Sequence, residues 1–306
     1  MQTRRDLLQS TLVTGAAVTL SANAMKPLGA APGFTAVARR RIPKSGELVP
    51  CIGLGTSRTL DVDPAGNIGA LVEVMRTFLA AGGSVIDSSP MYGRAETVVG
   101  KLLEKLERRD VFFATKVWTD KGRDAGIAQM QASAKLMGTE RLDLLQIHNL
   151  IDYATHLKTL REWKPAGRVR YIGATEMKRF DEVERMLKED GLDFIQVPYS
   201  MKERDVEARV LPCARDNGVA VLVMRPFERA GLFDKVEGKP LPDWAAEFDC
   251  ASWAQFFLKW VLGHPAVTCP IPASSKPEHV VDNMAAGVGR LPDEKMRKRM
   301  LEHLGF

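Results

Sequence analysis

The sequence predicts an α/β protein of the (β/α)8 TIM-barrel class, with a candidate N-terminal β-hairpin ahead of the barrel. Three observations carry that prediction. Short apolar, β-branched runs recur eight times between residues 49 and 274. Stretches of helical period separate them, at strand-to-strand spacings of roughly 25 to 45 residues, the length of a βα unit. No domain-breaking linker interrupts the series, so the eight units close most simply into one barrel. The rival, an open doubly wound sheet, is disfavoured because the first strand-turn-helix carries GLGT (53–56) rather than GxGxxG. At 306 residues, 45% of them hydrophobic, the chain has the material for such a core.

The first 24 residues read MQTRRDLLQSTLVTGAAVTLSANA. Arg4-Arg5 followed by Leu7-Leu8, an uncharged apolar stretch from Leu12 to Leu20, and Ala22-Asn23-Ala24 together resemble a twin-arginine export signal. The apolar stretch is too short to stay in a bilayer as a span. This implies the twin-arginine export machinery as a partner and a periplasmic location, or a cytoplasmic one if the signal is not used. Residues 25–38 then read as a linker and 39–306 as the barrel. Within RRIPKSGELVP (40–50), Ser45-Gly46 supplies a hairpin turn. Strands are expected at 49–56, 84–89, 111–117, 142–148, 169–175, 193–199, 220–226 and 267–274. Helical stretches include 68–82, 95–109, 125–138 and 179–191, and 293–304 reads as a helix with a solvated cationic face.

The formal charge of +5 is spread along the chain, with no stripe of Lys and Arg interleaved with aromatics, which argues against a nucleic-acid partner. Cys51, Cys213, Cys250 and Cys269 lack metal-type spacing and read as buried small hydrophobes. Cys51 and Cys269 fall on the first and eighth strands, neighbours in a closed barrel, and form the one candidate disulfide.

In such a barrel the reactive groups gather at the C-terminal strand ends. Those ends present Asp87 after the second strand, Tyr92 in its loop, Lys116 on the third and His148 on the fourth. Singly, each has a bland explanation as a cap, a rim ion pair or a structural histidine; together, on three consecutive strands, they suggest proton chemistry. A phenol has a pKa near ~10, too high for an efficient acid at neutral pH. A lysine cation at about 4 Å favours the phenolate by up to ~4 kcal/mol at an effective dielectric of ~20, so Lys116 is expected to draw Tyr92 downward. Asp87 would keep the lysine charged, and His148 would orient a carbonyl by hydrogen bonding. Such a centre needs a reductant.

These residues and their contexts resemble the aldo-keto reductase family. The resemblance runs from about Arg40 through Asn283 and includes GLGT, IDSSPMYG, ATKVW, LDLLQIH, YIGAT, QVPYSMKERDVE, LPCARDNGVAVLVMRPF and IPASSKPEHVVDN. It implies hydride transfer from a nicotinamide cofactor to an aldehyde or ketone, with Tyr92 as general acid in a tetrad with Asp87, Lys116 and His148. It also implies that Thr175 and Gln196 hold the nicotinamide carboxamide, with Tyr199 nearby. Arg225 would begin the loop over the pyrophosphate, and Ser274, Lys276, His279, Asp282 and Asn283 would hold the adenosine phosphate. Trp118 is the candidate substrate-contacting residue, and Trp244 with Phe248 a candidate lid.

The match has departures. Thr175-Glu176 stands for the family's usual Ser-Asn, and Arg225-Pro226-Phe227-Glu228 for Ser-Pro-Leu-Gly. Ala273 and His279 occupy positions where some members carry Lys and Arg. A 2′-phosphate prefers fixed cations. Lys276 is the substitute, so NADP(H) is favoured and NAD(H) is the alternative. Two other readings compete with a reductase. A cofactor-sensing subunit with little turnover is disfavoured by the intact tetrad. A Schiff-base lyase using Lys116 is disfavoured because Asp87 would keep that amine charged.

Overall fold

The computed structural model describes residues 35–306, so the export signal read over 1–24 and the linker up to residue 34 lie outside the described residues. The chain begins with the hairpin. Strand β1 (Arg39–Arg41) pairs antiparallel with β2 (Leu48–Pro50), with Gly46 at φ 74° in the turn. The sequence's single strand at 49–56 is two elements. Val49 and Pro50 complete the hairpin, and the chain then turns to enter the barrel as β3 (Leu54–Gly55). Gly53 suits that crossing: a Cβ there would sit 3.0 Å from both the Val85 carbonyl and the Ile271 side chain.

From β3 the expected alternation follows: α1 (Gly69–Ala80), β4 (Val85–Asp87), α2 (Ala95–Lys105), β5 (Phe112–Val117), α3 (Gly122–Met137), β6 (Leu142–Ile147) and α4 (Tyr153–Trp163). Then come β7 (Val169–Thr175), α5 (Phe180–Glu189), β8 (Phe194–Pro198), α6 (Val210–Asp216), β9 (Ala220–Met224), α7 (Gly231–Val236), α8 (Trp253–Leu262), β10 (Val267–Pro270), α9 (Pro277–Ala285) and α10 (Glu294–Leu304). Each barrel strand pairs in parallel with its sequence neighbours, in the order β3 to β10. Backbone bonds from Gly53 N to the Pro270 carbonyl (3.0 Å) and Gly55 N to the Pro272 carbonyl (3.1 Å) close the ring. This is a (β/α)8 barrel.

Strand alternation explains both the core and the site. Successive side chains point to opposite faces. On β5, Phe113 and Val117 face the helices, while Phe112 and Ala114 join the cluster inside the barrel. Lys116 continues the inward series at the C-terminal end. The same count carries β4 from Val85 to Asp87, β6 from Leu144 to Gln146, and β8 from Phe194 to Gln196. The interior is therefore layered, with Phe112, Tyr171 and Phe194 packed at ring distances of 5.6–6.0 Å below and polar side chains above.

The hairpin stoppers the lower end. Ile42 is fully buried in the interior cluster, and the Glu47 carboxylate accepts from the Tyr171 hydroxyl and the Arg170 guanidinium. Arg170 also donates to Asp143 at 2.6 Å. Helix α10 is capped by Asp293, which accepts from Met296 N at 2.8 Å. Its cations do not all face solvent. Arg297 is buried, donating to the Trp260 carbonyl at 3.0 Å and pairing with Glu207 at 2.6 Å. All four cysteines are free. The Cys51 thiol lies toward the Gly287 carbonyl and that of Cys269 toward the Pro270 carbonyl, so the candidate disulfide is not formed.

Candidate active site

A cavity of about 750 Å³ opens at the C-terminal end of the barrel, lined by Asp87, Tyr92, His148 and Gln196. Its floor is the polar layer. Lys116 lies completely buried below the mouth and donates to Asp87 Oδ2 at 2.6 Å and to the Ser88 carbonyl at 2.8 Å. Gln146 donates to Asp87 Oδ1 at 3.0 Å. Burial alone would lower the Lys116 ammonium, but Asp87 and Tyr92 outweigh it and the net direction is upward, so the lysine stays cationic.

Tyr92 ends a 3-10 turn, Pro90–Tyr92, that follows from its sequence. Ser89 caps it by accepting from Met91 N, Pro90 supplies the fixed first dihedral, and Gly93 leaves it at φ 60°. A Cβ on Gly93 would lie 2.4 Å from the Asp61 carboxylate, so glycine is required there for space as well as for φ. The Lys116 ammonium sits 5.2 Å from the Tyr92 ring centre. Its effect is not the one expected from charge alone. Burial raises the phenol above its ordinary value, Lys116 opposes this only in part, and Asp87 adds to the rise. Tyr92 is therefore a neutral phenol with a proton to give. The expectation of a lowered value underweighted desolvation.

His148 stands edge-on to Tyr92, with ring centres 5.8 Å apart. Its Nδ1 is 3.0 Å from Ser89 Oγ, which leaves Nε2 for the cavity. Burial, and then the Lys116 charge, depress the imidazole to about 3, so it is neutral at physiological pH. The floor thus presents a neutral acid, a neutral imidazole and a sealed ion pair, an arrangement suited to protonating an oxygen that gains negative charge.

The other sequence candidates divide. Arg225, Ser274, His279, Asp282 and Asn283 line the same cavity. Among the described residues the buried Gln196 Oε1 at the cavity wall has no partner, which makes it an acceptor suited to an amide N–H from a bound group. Both oxygens of Asp282 already accept, from Ser252 Oγ at 2.8 and 2.7 Å and from Gln255 Nε2 at 2.7 Å.

Six candidates do not line the cavity. Thr175 is buried and accepts the Asn149 N–H at 3.0 Å, which steadies the loop after His148. Tyr199 is captured elsewhere: its hydroxyl donates to Glu207 at 2.6 Å and accepts from Arg297, with its ring 5.0 Å from Trp260. Lys276 is exposed on the N-terminal side of α9. Trp118 is 38% exposed on the rim, its backbone N–H held by Gln129 Oε1. Trp244 and Phe248 pack on Phe256, away from the cavity lining. Glu176, where the family usually has Asn, closes its own loop by accepting from Met177 N and Lys178 N and from Arg179.

Sequence reasoning missed Met224, Phe227, Phe233 and Trp253, which form the apolar wall of the cavity. Met224 could have been found, being the inward residue at the end of β9. The aromatics come from loops and helix starts without periodicity, so no sequence signal marks them. Ser89 was quotable from its turn but earns its place only through His148.

The model of the Aldo/keto reductase family matches residues 51–300. The chain is 27% identical over 288 residues to an NADH-specific methylglyoxal reductase of Escherichia coli (strain K12), covering 77% of this chain and 86% of the relative. It is 28% identical over 257 residues to the methylglyoxal reductase YeaE of the same organism, covering 81% and 89%. Its structure is similar to that of an aldo-keto reductase from Klebsiella pneumoniae in complex with NADPH, with a TM-score of 0.72 and 25% identity, covering 88% of this chain and 95% of the other.

Proposed function

The chain belongs to the aldo/keto reductase family, and from that premise we propose that it reduces an aldehyde or ketone with NADP(H), Tyr92 giving the proton. The observation that carries the proposal is the buried Asp87–Lys116 pair beneath a neutral Tyr92 at the floor of the cavity. When bound, the dinucleotide supplies a hydride to the carbonyl carbon. Gln196, through its unpartnered Oε1, would hold the carboxamide end. Arg225, Ser274, His279 and Asn283, along the same cavity, would hold the phosphate and adenosine end.

His148 donates from Nε2 to the carbonyl oxygen and fixes its direction toward Tyr92. As that oxygen becomes anionic, Tyr92 releases its proton to it. The phenolate left behind faces the Lys116 ammonium, which Asp87 holds in place, so the charge never stands alone in a dry site. Short 2-oxoaldehydes join the candidate substrates because two relatives are methylglyoxal reductases. The NADPH held by the Klebsiella neighbour supports NADP(H), and the NADH-specific relative keeps NAD(H) as the alternative.

The test is oxidation of NADPH and of NADH over a panel of aldehydes, ketones and methylglyoxal, with wild type and Tyr92→Phe in parallel. The expected result is turnover by wild type and a loss in the variant of roughly 10²- to 10⁴-fold, the worth of a positioned acid, with cofactor binding retained. Absence of turnover with either cofactor, despite tight binding, would turn the reading to a cofactor-sensing subunit.

The proposal includes export of the folded protein through the twin-arginine route to the periplasm, supported by Arg4-Arg5 and the residues after them. Among the described residues no helix is long and apolar enough to cross a membrane. In that compartment the cofactor would be carried in tightly held and recycled by alternating substrates. Recovery of cofactor-free protein from a periplasmic extract, with rapid exchange of added NADPH, would overturn this part.

A further inference from the structure

One buried acid takes no part in the chemistry above. Glu96 is in the first turn of α2, four residues after Tyr92, and is 3% exposed. Its Oε1 accepts from Thr115 Oγ1 at 2.5 Å and its Oε2 from Ser133 Oγ at 3.1 Å. Thr115 precedes Lys116 on β5 and faces the opposite side of the strand, toward the helices. A single carboxylate thus joins the helix that follows Tyr92 to the strand that carries Lys116, and both to α3.

A buried carboxylate is an expensive way to hold helices together, since an apolar side chain of similar volume would pack there without desolvation. What it adds is direction and a fixed distance, because the short bond from Thr115 tolerates little displacement and the longer one from Ser133 orients the other oxygen. The pair that needs a fixed distance is close at hand. The Tyr92 hydroxyl is within the influence of the Lys116 ammonium, which lies 5.2 Å from its ring centre, and how near it comes depends on the turn that carries it. That turn is held from outside by Asp61, which accepts the Arg94 N–H at 3.0 Å, and from inside by α2.

We propose that Glu96 is a positioning residue of the reductase centre, setting the separation of Tyr92 from Lys116 by tying the start of α2 to Thr115. The proposal rests on the reading of Tyr92 as the proton donor. Releasing the tie lets Tyr92 drift from the ammonium. The phenol then rises further, because burial raises it and Lys116 is the main opposing influence. Proton transfer slows while the dinucleotide end of the cavity is untouched.

The experiment compares Glu96→Leu, Thr115→Val and Glu96→Gln. Thr115→Val keeps shape and loses one hydroxyl, so it remains informative if Glu96→Leu fails to fold. The glutamine can still accept from Thr115 and reach Ser133. The first readout needs neither substrate nor cofactor: the ultraviolet phenolate titration of Tyr92, taken as the difference between each protein and the same protein carrying Tyr92→Phe. The expected result is a midpoint about one pH unit higher in the leucine and valine variants, as for a cation moved away, and restored by glutamine. The second readout is kcat, expected to fall roughly 10- to 100-fold with the KM for dinucleotide unchanged, since a small displacement at a reacting centre suffices. An unshifted titration in Glu96→Leu and Thr115→Val, alongside a lowered Tm, would make Glu96 a structural staple and overturn the proposal. Wild type without turnover would overturn the reductase reading instead, and the titration would still decide the role of Glu96.

Discussion

Lys116 is the residue on which the other members of the centre depend, and its burial makes its removal informative. Truncation would leave the Asp87 carboxylate in a sealed site with only amide donors. Breaking a buried pair in this way costs about 3–5 kcal/mol, whereas removing both charges costs much less. Lys116→Met is therefore expected to lower stability by that amount in urea unfolding, and Asp87→Asn in the same chain to restore a large part, with activity absent from both. That Asp87, Tyr92, Lys116 and His148 converge on one floor was legible in the sequence because strand alternation is a strict period, Asp87, Lys116 and His148 fall at strand ends, and Tyr92 follows in a short turn. The direction of the Tyr92 acidity was not, because the balance between a cation and desolvation depends on depth, which no motif records. Tyr199 was misread for a related reason. Its partner Arg297 lies far along the chain, on a helix whose charges look uniformly solvated in sequence.

Among the elements, the segment after β9 is the most strained. Arg225, Glu228, Arg229 and Ala230 all have φ between 52° and 84°, and none is glycine. Each such residue costs of the order of 1 kcal/mol, so the loop needs an anchor. Arg225 provides it, pairing with Glu203 at 3.4 Å and Glu228 at 3.2 Å, while Ser200 Oγ donates to Glu228 at 3.3 Å. Burial first, and then Glu228, push the Glu203 carboxyl up to about 7. Below that pH a proton keeps the cluster near neutral; above it two carboxylates share one guanidinium at the edge of the cavity. Affinity for an anionic dinucleotide is expected to weaken several-fold from about pH 6 to pH 8, by the linkage of charge to binding. Glu203→Gln should flatten that slope in a fluorescence titration. The sequence showed that Arg225 begins a divergent loop but not what restrains it, since Glu203 comes from the loop after β8. Elements with their own period fared better: β7 lies where expected, and α1, α2, α3 and α5 differ only at their ends. The first strand split because Pro50 and Gly53 serve two different sheets.

At the scale of the molecule, the barrel carries its chemistry at one end and its closure at the other, and its histidines tie stability to acidity. His148 is depressed to about 3 by burial and then by Lys116, and His264 to about 4 by burial and then by Arg297. The folded state binds these protons more weakly than the unfolded chain, whose imidazoles titrate near ~6.5. Stability is thus full above that value and lost as pH falls through it toward the folded values. His148→Gln is expected to abolish a loss of roughly 2–4 kcal/mol between pH 6.5 and 4, read by urea unfolding at each pH. The barrel class was legible because eight units repeat without a break, and the hairpin because Ser45-Gly46 marks its turn. What the hairpin does was not, since the Glu47–Arg170–Tyr171 network joins residues 123 and 124 positions apart. Its consequence concerns traffic. With Ile42 and three packed aromatic rings filling the lower half, the barrel is a cul-de-sac, and whatever reaches the floor must leave by the door it used. A long occupant seated first, and a small one on top of it, can depart only in reverse order.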